Sequence, residues 1–253
     1  GGVIMDKNNI NNLNENSSKN ILVLGGSDGI GLAICNVYEK LGYNIHITSR
    51  AMNKYSSKFK FYSLDATKEE SWQKFIKNLS NKNITFDIII NTIGILHDAN
   101  NNAFPEKSIK GLNANFFMRN IEVNTLVSAL CMKYLLGCIS KTKNTIIAHL
   151  TARLGSISDN NIGGWISYRA SKAAQHMVIK TSSLELIRNY NRLVVVGLHP
   201  GTVDTKLSKP FQKSAKKIFE PRESALKLTK VISNLEINDT GKVFDYAGKI
   251  IPY

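Results

Sequence analysis

The chain has 253 residues, 43% of them hydrophobic, enough for a sizeable core; 33 basic against 19 acidic residues leave a formal charge of +14. A field of that sign draws anions, but no block of five like charges and no interleaved basic-aromatic stretch occurs, so the lysines read as solvated helix faces and nucleic acid is not the expected partner. No run of eighteen apolar residues argues for a membrane span, and no Cys/His cluster has metal-ligand spacing, so no metal is expected.

Residues 1–19, rich in Asn and Ser, read as a mobile tail. Gly1-Gly2 resembles a cloning scar, and no secretory signal pattern follows, so a cytoplasmic setting is expected with organelle targeting left open. Cys35, Cys131 and Cys138 lie in apolar helical patterns and read as reduced core thiols, consistent with that setting. Residues 20–25 form a short apolar run ending in glycine, the signature of a buried parallel strand. Ile30, Ala33, Ile34, Val37, Tyr38 and Leu41 then recur at helical spacing, with Gly42 at the C-cap. Further strands are predicted at 45–49, 59–64, 86–91, 145–150, 193–198 and 242–247. Residues 123–138 keep helical spacing over four turns, and Ala170, Ala173, Ala174, Met177 and Val178 mark another helix. The alternation predicts one Rossmann-type, doubly wound α/β domain over 20–253. Its seven-stranded, mainly parallel sheet would carry helices on both faces.

Gly25-Gly-Ser-Asp-Gly29-Ile-Gly31 joins the first strand to the first helix. Glycines there let backbone N–H groups close on a pyrophosphate, and the helix N-terminus adds a favourable dipole field. Ser27, Asp28 and Ile30 fall inside the same loop. The spacing is glycine, three residues, glycine, one residue, glycine, which differs from the usual dinucleotide fingerprint. Two more segments bear on a cofactor. Ser49-Arg50 ends the second strand without an acid, where an acidic side chain would pair with a ribose 2′-hydroxyl and arginine would welcome a 2′-phosphate. Tyr168 and Lys172 lie four apart, so a helix stacks them on one face.

With these marks the chain resembles the short-chain dehydrogenase/reductase family, over about residues 20–253. Asn91-Thr92-Ile-Gly94 looks like the family's Asn-Asn-Ala-Gly segment. Asp65, followed by Ala66, resembles the aspartate that contacts adenine. Asn124 resembles the helix asparagine that supports a proton-relay water, and Tyr168-Arg-Ala-Ser-Lys172 matches the Tyr-x-x-x-Lys pair. Pro200-Gly201-Thr-Val203-Asp-Thr205 resembles the segment that meets the nicotinamide. Pro105-Glu-Lys-Ser, Gly155-Ser-Ile-Ser-Asp and residues 248–253 look like the C-factor-type, carbonyl reductase-like subgroup.

The resemblance implies hydride transfer between a nicotinamide and a small carbonyl or alcohol substrate. The alkoxide that develops needs a proton, and a free phenol, with pKa about 10, supplies it better when a lysine nearby favours the phenolate. Lys172 is also implied to bind the nicotinamide ribose. The family's substrate-binding hydroxyl is a serine three residues before a glycine; counted back from Gly155, that place holds Ala152, which cannot donate. Thr151 is favoured to replace it; Ser156 or no donor at all are the alternatives, and loss of one such donor costs on the order of a hundredfold in rate. Ser49-Arg50 favours NADP(H) over NAD(H), although Asp28 stands where NADP-using relatives often carry a basic residue. His97, Asp98 and Trp165 are expected to border the substrate cleft, with residues 206–222 as its lid. The long helices resemble those that build homodimers and homotetramers in this family. The alternative reading is an NADP-binding sensor or scaffold with weak or no catalysis.

Overall fold

A computed structural model describes residues 18–54, 56–206 and 208–253, so the expected tail, apart from Ser18 and Lys19, lies outside the described residues. The strands are β1 (Asn20–Leu24), β2 (Asn44–Ser49), β3 (Lys60–Ser63), β4 (Ile88–Asn91), β5 (Thr145–Leu150) and β6 (Leu193–His199). A short pair, β7 (Thr202–Val203) and β8 (Ile218–Phe219), stands apart, followed by β9 (Val243–Asp245) and β10 (Ile250–Ile251). The main sheet runs β10-β9-β6-β5-β4-β1-β2-β3. Its first seven strands in chain order are parallel; β10 adds an antiparallel eighth against β9. The sequence pattern gives seven because two residues after the Gly248 turn are too short to show a period.

Alternate residues of a strand point to opposite faces, and the core divides accordingly. Leu22 and Leu24 join Trp72, Leu130, Cys131 and Ile179 on one face; Ile21 and Val23 join Ile34, Val37, Leu228 and Ile232 on the other. The second face is covered by α1 (Gly29–Lys40) and a C-terminal helix at Pro221–Ser233. The first is covered by α2 (Glu69–Ser80) and a long helix built from α3 (Ala114–Asn120), a π-helical turn (Ile121–Leu126) and α4 (Val127–Leu135). Over 114–138 this helix is long and apolar enough to cross a membrane by length and composition alone, a feature a search for unbroken apolar runs passes over; half of its most apolar window is buried in the fold.

The next helix, α5 (Ile166–Leu186), differs from its sequence pattern. Its buried face is Ser167, Ser171, Lys172, Gln175, His176, Ile179 and Ser183, while Met177 is 66% exposed. The apolar residues that signalled the helix are therefore largely not the ones it buries, because its inner face is given over to hydrogen-bonding side chains. Pro221 opens the C-terminal helix, α6, instead of belonging to a lid. The expected lid shrinks to the connection between β7 and β8; Leu207 within it lies outside the described residues.

The order of strands reverses at β1, which pairs with β2 on one side and β4 on the other. Crevices outside the carboxyl ends of parallel strands at such a switch point are where ligands bind in open α/β sheets.

Candidate active site

The β1–α1 turn is shaped by close approach. Gly25 and Gly29 have φ of +79° and +51°. A Cβ on Gly31 would lie 2.3 Å from the Gly25 carbonyl oxygen, and one on Gly25 would lie 2.8 Å from Thr92 Oγ1. Thr92 Oγ1 in turn donates to the Leu24 carbonyl at 2.6 Å, tying the end of β4 to the end of β1. Helix α1 has no side-chain cap at Asp28 and no acidic residue in its first turn, so its free N–H groups and dipole are left to act on an anion.

A cleft of about 790 Å³ opens before this turn. Its wall includes Gly25, Ser27, Asp28, Gly29, Ile30 and Gly31, then Ser49, Arg50, Asp65, Ala66, Thr92, Gly94 and Thr205. Thr67, Lys68, Arg119 and Glu122 also line it; nothing in their sequence context marks them. Six expected cofactor contacts are not on the wall: Asn91, Tyr168, Lys172, Pro200, Gly201 and Val203. Asn91 is fully buried, with its amide nitrogen 3.2 Å from Ser128 Oγ and 3.1 Å from His149 Nδ1. It braces β4 from below. Gly201 adopts φ +78° and leaves no room for a Cβ, which would meet the Phe219 ring at 2.5 Å.

At the end of β2, Ser27 and Ser49 share a hydroxyl hydrogen bond of 3.1 Å, and Asn53 Nδ2 donates to the Ser27 carbonyl at 3.1 Å. Arg50 is exposed at the rim. Asp65 Oδ1 accepts from Thr67 Oγ1 at 2.7 Å and Thr67 N at 3.1 Å. Those bonds, with Arg50 and Lys68 nearby, hold its carboxyl below the usual range. A glycine cradle, an uncapped helix terminus and a rim of Arg50 and two serines fit a phosphate-bearing dinucleotide.

Deeper in, α5 carries Tyr168, half-buried, and Lys172, buried, with Lys172 Nζ 5.7 Å from the Tyr168 ring centre. Lys172 Nζ reaches under Gly94, where a Cβ would lie 3.4 Å from it and 3.2 Å from Asn124 Oδ1. Burial lowers the Lys172 pKa from 10.5 to about 7, and burial raises that of the Tyr168 phenol. Asn124 sits in the π-helical turn, a feature common at functional sites. It grips one residue from both sides: its Oδ1 accepts from Ile95 N at 2.7 Å and its Nδ2 donates to Ile95 O at 2.9 Å. The same Nδ2 lies 3.0 Å from Ser171 Oγ on α5.

Ala152 is buried at the end of β5, without a hydroxyl. Thr151, the favoured replacement, is buried beside it. Its Oγ1 lies 2.7 Å from His176 Nε2, its one hydrogen-bond partner among the described residues. Ser156 is buried and accepts from Asp159 N at 3.2 Å. The sequence pattern passes over His176, although 168, 172 and 176 recur at the spacing of one helix face. Burial, with the Lys172 charge adding to it, lowers its pKa from 6.5 to about 4, so it is neutral at pH 7.

The side expected to face the substrate is aromatic. His97 stacks on Phe104 with ring centres 5.9 Å apart, and Phe211 lies 5.7 Å from His97 and 5.4 Å from Trp165. Trp165 meets Tyr168 edge-on at 6.3 Å. Asp98 instead holds a turn, accepting from Asn101 Nδ2 at 2.7 Å. Trp165 has φ +57°, a left-handed conformation that costs a non-glycine residue about 1–2 kcal/mol.

Known proteins show the same architecture. The family profile for short chain dehydrogenases matches residues 19–216. A 1-hydroxy-2-glutathionyl-2-methyl-3-butene dehydrogenase of Rhodococcus sp. (strain AD45) is 30% identical over 179 residues, 71% of this chain and 74% of that protein. The C-signal protein of Myxococcus xanthus is 35% identical over 107 residues, 42% of this chain and 60% of that protein. An NADPH-bound carbonyl reductase from chicken fatty liver superposes with a TM-score of 0.80 at 23% identity, covering 93% of this chain and 99% of that one. The chain belongs to the short-chain dehydrogenase family and is an oxidoreductase.

Proposed function

We propose that the protein is an NADPH-dependent carbonyl reductase in which Tyr168 is the general acid in reduction and the general base in the reverse direction. The observation that carries this reading is the seating of Tyr168 and Lys172 on one face of α5, with Lys172 Nζ against Gly94 at the inner end of the glycine-lined cleft. A nicotinamide held in the cleft would supply the hydride chemistry at the substrate carbon. Tyr168 gives the proton to the substrate oxygen. With its pKa near 7, Lys172 carries charge over part of the neutral range and then favours the phenolate left behind. Asn124 holds the Ile95 backbone, and so the loop beside Gly94, in place. Ser27, Ser49 and Arg50 would hold a 2′-phosphate, and the NADPH named for the chicken reductase agrees with that preference. Tyr168→Phe should abolish carbonyl-dependent NADPH oxidation while NADPH binding, followed by fluorescence titration, persists. Retained turnover would overturn the assignment.

A second reading rests on Ala152 and on the engagement of Thr151 by His176: a cofactor-binding sensor or scaffold with little turnover. It predicts NADPH binding without oxidation over a broad panel of aldehydes and ketones. Apolar residues left exposed on the long helix (Met118, Leu126) and on α5 (Met177, Leu184) support a homodimer or homotetramer. The buried, unpaired thiols Cys35, Cys131 and Cys138 are consistent with a cytoplasmic setting.

A further inference from the structure

The N-terminus of α5 carries both Trp165 and Tyr168, yet it lacks a cap of its own. Trp165 occupies the N-cap position and makes no side-chain cap, and the first turn holds no acid. A helix start leaves N–H groups that need acceptors. If an indole is to stand at that position, the capping oxygen must come from elsewhere in the chain.

It comes from Glu106, in the connection between β4 and α3. Glu106 is 5% exposed. Its Oε2 accepts from Ser167 N at 3.2 Å and from Ser167 Oγ at 2.5 Å. Its backbone carbonyl accepts from Trp165 N at 2.7 Å. One residue thus takes hold of α5 on both sides of Ile166. Upstream, Gly163, Gly164 and Trp165 form a left-handed run with φ of +67°, +75° and +57°. Arg169 braces the same run, donating from Nε to the Gly164 carbonyl at 2.9 Å. The second carboxyl oxygen, Oε1, is buried with no hydrogen-bond partner among the described residues. Only one oxygen of the group is used, as an acceptor, which an amide can equally provide.

We propose that Glu106 is a positioning residue that caps α5 from outside the helix and so fixes Trp165 and Tyr168 in one arrangement. It acts through Ser167 and Trp165. Its effect on turnover rests on the assignment of Tyr168 above; its effect on Trp165 does not.

The experiment uses the whole chain, fluorotryptophan labelling and fluorine NMR, which reports Trp72 and Trp165 as separate signals; these are the two tryptophans of the sequence. In Glu106→Ala the Trp165 signal should shift and broaden while the core Trp72 signal stays. NADPH affinity should hold within about twofold, and kcat should fall roughly tenfold to a hundredfold, the scale of a misplaced reacting group. Glu106→Gln should restore the Trp165 signal and kcat to near wild type. An unmoved Trp165 signal in Glu106→Ala overturns the proposal. So does Glu106→Gln being as impaired as Glu106→Ala, since the charge would then be what matters. Should Glu106→Ala fail to fold, Glu106→Leu, which fills the space without offering an acceptor, takes its place, and an unmoved Trp165 signal there overturns the proposal equally. A wild-type protein that turns over no carbonyl would defeat the reductase reading while the Trp165 signals still decide the role of Glu106.

Discussion

Arg50 and Lys172 show how single side chains set what the site can hold. Arg50 stands at the rim of the cleft with Ser27 and Ser49 and no acid beside it on β2. Arg50→Ala should weaken NADPH roughly tenfold or more and leave NADH nearly unchanged, the cost of one charge-assisted phosphate contact. Unchanged NADPH affinity in a direct titration would remove the argument for a 2′-phosphate site. Lys172 acts on stability in the opposite sense. Its pKa falls from 10.5 to about 7 on folding, through burial. Between those values the unfolded chain binds a proton that the folded one does not. Stability therefore rises with pH across that window, by about 1.4 kcal/mol for each pH unit, and the full penalty is present below about pH 7. Lys172→Met should melt higher than wild type at pH 7 in the absence of cofactor, with the gap closing toward pH 10. A lower melting temperature at pH 7 would contradict it. A residue that serves turnover would thus be one the cofactor-free fold is better without.

Among the elements, α5 and the long helix leave apolar residues outside. Leu184, 61% exposed, lies seven residues and two turns beyond Met177 on the same face. Leu184→Glu should shift the protein toward monomer in light scattering if α5 builds the oligomer, with NADPH binding unaffected; an unchanged mass would place the interface elsewhere. The elements also show where sequence reading succeeds and stops. β1, α1 and the glycine turn are legible because a buried parallel strand, an amphipathic helix and a strained turn each leave a local signature. β10 is not, being two residues long. The orientation of α5 is not either, because a polar inner face inverts the usual hydrophobic pattern. Tyr168, Lys172 and Asn124 come forward by motif. His176, Glu106 and the true partner of Thr151 depend on contacts between distant segments, which no local spacing encodes.

At the scale of the molecule, three histidines lie in the interior and a fourth, His199, is half-buried at its edge. His46, His149, His176 and His199 all have pKa values lowered from 6.5 to about 4, in each case by burial first. Between pH 6.5 and 4 the unfolded chain takes up protons that the folded one refuses. Each of the four removes about 1.4 kcal/mol per pH unit in that range. Urea midpoints should fall steeply as pH drops through this window, and a flat profile would show that the histidines are hydrated in solution. The same interior bears on how the molecule comes apart. Serines, an amide, a lysine and an imidazole between α5 and the sheet gain less from leaving water than apolar side chains do, since a hydrogen bond nets only about 1 kcal/mol and Gln175 Oε1 and His176 Nδ1 are buried with no partner among the described residues. The sheet and its two apolar faces hold the architecture; α5 joins the core through Ile179 and otherwise meets it with hydrogen-bonding side chains. On the proposed role of Tyr168, the chemistry is housed on a helix with a polar inner face, and as conditions worsen turnover should be lost while the apolar scaffold beneath it still stands.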